Sequence, residues 1–72
     1  MKKRRVDPKV LGKRLRELRG IRTRTGVAKA LGISYSALSF YEDGERFPSE
    51  QTQKRIASYY GVSEDDLFYT VD

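Results

Sequence analysis

The sequence predicts an all-α fold, a compact domain of five short helices. Three observations carry the prediction. Apolar residues recur at three- and four-residue intervals, as on the inward face of a helix. Each such stretch opens on Ser, Thr or Asp, and all but the last close on Gly. Nowhere do apolar and polar residues alternate as a strand requires. A chain of 72 residues allows one domain with one small core. With no cysteine, helix packing alone must hold that core, which suits a reducing cytoplasm. No apolar run approaches the length of a membrane span or signal peptide, so a cytoplasmic protein without membrane contact is expected.

In chain order, "MKKRRV" (1–6) reads as a flexible basic arm or a solubility tail, ahead of a domain spanning 7–69 and a short tail at 70–72. "DPKVLGKRLRELRG" is the first helix. Asp7 caps it, Pro8 suits its first position, Gly20 stops it, and Leu11, Leu15 and Leu18 share a face. Arg19 borders that face, where a lone cation is costly, so a carboxylate partner is required. "TRTGVAKALG" is a second helix capped by Thr23, with Val27, Ala28 and Leu31 inward and Gly26 costing roughly 1 kcal/mol against alanine. "ISYSALSFYEDG" follows after about three residues, capped by Ser34 and stopped by Gly44. Two helices so short and so close must cross steeply, which marks about 23–43 as one unit. After Pro48, Ser49 caps a fourth helix that buries Ile56, Ala57 and Tyr60 and ends at Gly61. "SEDDLF" has a capping-box form and makes a fifth helix carrying Leu67 and Phe68.

Charge is unevenly divided. Residues 1–33 hold 12 Lys and Arg against 2 acids, and residues 34–72 hold 3 against 8. Such separation gives a short protein a positive face suited to a polyanion, although a solvated, solubilising surface has the same signature. Ser34 to Tyr41 stands out because it carries no charge at all.

The order "LGKRLRELRG", "VAKALGIS", "LSFYEDGERFPS", "IASYYGVSEDDLF" resembles the XRE family, the helix-turn-helix domain of lambdoid phage repressors and Cro. The resemblance covers residues 11–68 and rests on Ala28, Gly32, Ser34, Leu38, Glu42, Gly44, Pro48 and Val62 together. It implies a lambda-repressor-like fold in which helices 2 and 3 bind double-stranded DNA, the third in the major groove and the start of the second on phosphate. It also implies that Arg19 pairs with Glu42. The chain departs from the family pattern at Arg24, usually glutamine, at Thr25 and Gly26, often acidic, and at Gln53, commonly apolar.

A major groove offers donors, acceptors and thymine methyls, which suits small polar and apolar side chains. Tyr35, Ser36, Ser39 and Phe40 are therefore the candidate base readers. Arg22, Arg24, Thr25, Lys29, Ser34 and Arg46 are the candidate phosphate contacts. Each has another reading: Phe40 as part of the domain or of a protein interface, Tyr35 as cover for the second helix, Ser34 as a cap, Arg46 as a solvated cation. The function expected is a sequence-specific DNA-binding transcription regulator, a small repressor without a sensing domain. It would bind as a homodimer to a palindromic operator, because one unit offers few base contacts. Leu67, Phe68, Tyr69 and Val71 are the candidate dimer surface. The alternative is an antitoxin-like module whose main partner is a protein. No enzyme is expected, since histidine and cysteine are absent and the carboxylates fall at helix starts; no cofactor or metal is expected either.

Overall fold

Caps written into the sequence set every helix start. The structure, a computed structural model, describes residues 3–71. It runs β1 (Lys3–Arg5), α1 (Pro8–Arg19), α2 (Arg24–Leu31), α3 (Tyr35–Glu42), α4 (Glu50–Tyr60), α5 (Glu64–Phe68) and β2 (Tyr69–Val71). The side chains of Asp7, Thr23, Ser34, Ser49 and Ser63 accept from the backbone amides of Lys9, Gly26, Ala37, Thr52 and Asp65. Each bond satisfies an N–H that the helix itself leaves without a partner.

Two joints share one design. Gly32-Ile33-Ser34 connects α2 to α3, and Gly61-Val62-Ser63 connects α4 to α5. Gly32 and Gly61 sit at φ 72° and 68°, a left-handed step that glycine takes without steric cost. The next residue, Ile33 or Val62, then returns its amide to the carbonyl of Ala28 or Ala57 at 3.0 Å. Its side chain packs on the core, and the serine after it caps the following helix. Three residues thus end one helix and begin another.

The core gathers Leu11 and Leu15 from α1, Val27, Ala28 and Leu31 from α2, Leu38 from α3, Ile56 and Ala57 from α4, and Leu67 and Phe68 from α5. α1 lies directly on α3. At Gly12 the two backbones meet so closely that an added Cβ would stand 2.9 Å from the Glu42 carbonyl carbon. Only glycine allows that approach.

Two expectations are corrected. The chain is not free of strands: Lys3, Arg4 and Arg5 pair antiparallel with Val71, Thr70 and Tyr69. Residues 3–5 of the basic arm are therefore held in a ribbon, while Met1 and Lys2 lie outside the described residues. Val6, the arm's one apolar residue after Met1, anchors it by entering the core and donating its amide to the Phe68 carbonyl at 3.0 Å. Lys3 adds an ion pair with Asp65 at 2.9 Å, and Arg5 lies 4.8 Å over the Phe47 ring.

Leu67 and Phe68 do not form a dimer surface. They are 4% and 0% exposed, and Phe68 meets Phe47 edge-on at 6.0 Å. A five-residue helix closing a core this small turns both of its large apolar residues inward. The Val71 side chain lies outside what is described.

Gln53 replaces an apolar residue of the family pattern without a packing defect. It is fully buried, its Nε2 donates to the Pro48 carbonyl at 2.9 Å, and its Oε1 accepts from the Tyr69 hydroxyl at 2.9 Å. Tyr69 is drawn inward by the same bond.

Candidate nucleic-acid interface

α3 turns Leu38 and Glu42 into the domain, which leaves the opposite side of the helix outward. Tyr35 is 54% exposed, Ser36 is exposed, and Ser39 and Phe40 are half-buried. The outward face is thus hydroxyl-rich and uncharged. Arg46 stacks over the Phe40 ring at 4.7 Å and sets a cation at its edge. Ser34, whose Oγ accepts from the Ala37 amide at 3.0 Å, and Thr25, at the start of α2, are both exposed.

Beneath this face lies a buried carboxylate. Glu42 is fully buried and accepts from Arg19 Nε at 3.1 and 2.9 Å and from Arg24 Nε at 3.0 Å. Its backbone carbonyl accepts from Arg16 Nη1, a cation placed at the negative end of α3. A carboxylate so enclosed must be held by donors on every side, since an unpaired one would cost several kcal/mol.

Arg24, expected at a phosphate, is engaged by the end of α3. Besides Glu42, it donates through Nη2 to Asp43 Oδ1 at 3.0 Å and through Nη1 to Ser39 Oγ at 3.3 Å. Burial works to lower its pKa, but the bonds to Asp43 and Glu42 outweigh that and hold it above the ordinary arginine value. The spacing of the sequence puts Arg24 at the helix start; Asp43, just past the end of α3, and Glu42 draw its guanidinium onto that end of the helix.

A family model described as a helix-turn-helix domain matches residues 10–67. The chain belongs to the helix-turn-helix domain family. It is also similar to an uncharacterized HTH-type transcriptional regulator, YazB, of Bacillus subtilis (strain 168). The two are 38% identical over 64 residues, covering 86% of this chain and 93% of the relative. The helix-turn-helix unit is α2 and α3, joined by Gly32-Ile33-Ser34.

Two more of the expected phosphate contacts group elsewhere on the helix-turn-helix domain. Arg22 donates to the Leu18 carbonyl at 3.2 Å and lies 6.0 and 5.9 Å from the rings of Tyr59 and Tyr60. Lys29 lines an open groove between α2 and α4 with Lys54, Arg55 and Tyr59. Lys54 and Arg55 escaped the sequence reading, although their adjacency in a helix otherwise without cations was visible there. Arg5, fixed over Phe47 beside Arg46 in the α3–α4 loop, was missed because the arm was read as unpaired.

The division of charge has an internal use as well. The ion pairs Lys3–Asp65, Arg19–Glu42, Arg24–Glu42 and Arg24–Asp43 all run from the basic half of the chain to the acidic half. Arg14 likewise donates to the carbonyls of Asp66 and Leu67, at 3.0 and 3.2 Å. Several of the cations that suggested a polyanion surface are engaged in holding the fold.

Proposed function

We propose that this protein is a sequence-specific, double-stranded DNA-binding transcription regulator, a small repressor that binds as a homodimer to a palindromic operator. The observation that carries the reading is the uncharged, hydroxyl-bearing outward face of α3, displayed by a helix-turn-helix unit with Arg46 and Thr25 at its borders. Tyr35, Ser36, Ser39 and Phe40 contact base edges, while Arg46, Thr25 and Ser34 serve the phosphates beside them, and Lys29 and Arg22 serve phosphates farther from the reading face. The name of the Bacillus subtilis relative supports a role in transcription. Two copies supply the contact energy that one short reading helix lacks. Leu67 and Phe68 play no part in joining them.

Selection of bound sequences from a random duplex pool tests this reading. An enriched palindrome with half-sites about one helical turn apart is the expected result. A pool that stays random overturns it. Recovery of a stoichiometric protein partner from the native host, with no enriched motif, would favour the antitoxin-like alternative.

A further inference from the structure

Arg24 reaches the reading face by an indirect route. Its guanidinium is fixed from behind by Glu42 Oε1 at 3.0 Å and by Asp43 Oδ1 at 3.0 Å, so its remaining nitrogen has little freedom. That nitrogen, Nη1, donates to Ser39 Oγ at 3.3 Å. Ser39 stands half-buried on the outward side of α3, and among the described residues its hydroxyl proton is donated to no acceptor.

We propose that Arg24 is a positioning residue that makes Ser39 a hydrogen-bond donor to DNA, so that the base it meets must present an acceptor and a cytosine is rejected. The inference rests on the DNA-reading function proposed above. A free serine hydroxyl can donate or accept and discriminates poorly. Here a cation occupies one of the two acceptor positions of the oxygen and polarises the O–H bond, which makes it a stronger donor and a weaker acceptor. In the major groove, purine N7, guanine O6 and thymine O4 are acceptors, whereas the cytosine edge presents only its N4 amino donor. Four groups on α2, α3 and the cap of α3 thus act in series. Glu42 and Asp43 hold Arg24, Arg24 orients Ser39, and Ser39 selects the base.

Pool selection with wild type, Ser39→Ala and Arg24→Met provides the test, with the melting temperature and the salt dependence of binding measured for each. Ser39→Ala identifies the operator position that Ser39 reads, where discrimination against cytosine should fall about tenfold, the worth of one well-made hydrogen bond. Arg24→Met should relax the same position and no other, with the salt slope unchanged. If Arg24→Met leaves every position intact and lowers the slope by about one, Arg24 is a phosphate contact and the inference fails. If it lowers only the melting temperature, Arg24 is purely structural and the inference fails too. Should Arg24→Met not fold, wild type can be tested with base analogues that each lack one acceptor at the position found with Ser39→Ala: a 7-deazapurine for N7, 2-aminopurine for guanine O6, or 5-methyl-2-pyrimidinone for thymine O4. A loss of affinity with one of them that is absent in Ser39→Ala supports the donor role, and no loss with any of them overturns it. A wild-type pool that never enriches sinks the DNA-reading function itself, an outcome distinct from all of these.

Discussion

The hydroxyl of Tyr69 donates to Gln53 Oε1 at 2.9 Å, which joins the last strand to the fourth helix through a fully buried side chain. Tyr69→Phe should lower stability by about 1 kcal/mol, since it strands a buried acceptor. Gln53→Leu should cost a similar amount, because it deprives the Pro48 carbonyl and the Tyr69 hydroxyl together. The double variant should cost less than the sum, as both ends of one bond are removed. Urea denaturation of the three variants gives the cycle; strict additivity would show that the bond is energetically idle.

Gly12→Ala should destabilise the protein by about 1–3 kcal/mol, as expected for overpacking. Helix propensity alone predicts a gain of about 1 kcal/mol at a mid-helix glycine. The approach of the Glu42 backbone reverses the sign. A thermal melt of Gly12→Ala beside the exposed Lys13→Ala separates the two effects.

Glu42→Ala should be among the most damaging single changes, costing about 3–5 kcal/mol, because Arg19 and Arg24 lose a fully buried common partner. Asp43→Ala removes only a half-exposed partner of Arg24 and should cost under about 1 kcal/mol. Similar losses for both would contradict the central role of Glu42.

Stability should decline on the alkaline side. Burial, with the Glu42 charge second, raises the pKa of the Tyr60 phenol above its ordinary 10.0. Its hydroxyl is buried and has no hydrogen-bond partner among the described residues. The folded state then keeps a proton that the unfolded state gives up, so this contribution is intact below pH 10 and is lost as pH rises through the folded-state value. Lys3, raised by its bond to Asp65, acts in the same direction from 10.5 upward. Tyr60→Phe should flatten the alkaline limb of a denaturation-against-pH series without loss of stability at neutral pH. An unchanged limb would remove Tyr60 from the account.

For DNA binding, Arg46→Ala should weaken specific and random duplexes alike and reduce the salt slope by about one. Ser36→Ala should instead alter the preferred base at a single position, at a cost of order 1–3 kcal/mol if its contact is direct. Filter binding across a salt series, and repeated pool selection, distinguish these outcomes.

What the sequence made legible was local. Asp7, Thr23, Ser34, Ser49 and Ser63 announce helix starts because a cap acts within three residues of itself. The need of Arg19 for a carboxylate was legible from the cost of a lone cation beside apolar residues. What was hidden depends on distant partners. Strands of three residues show no alternation, and β1 finds β2 only because the packed helices bring the termini together. Leu67 and Phe68 look alike as surface or as core until α1 and α4 are in place. The bonds of Arg24 to Glu42 and Asp43 are hidden until the packing of α2 on α3 brings those groups together.

The Gly32-Ile33-Ser34 joint leaves no slack in the chain between the two helices it connects. A swing of α3 would have to break either the Ile33 return bond or the Ser34 cap, so α2 and α3 move as one piece. On meeting a duplex, such a piece surrenders little conformational entropy and adapts little. Adjustment to an imperfect target then falls to the nucleic acid, whose bendability becomes part of what is selected.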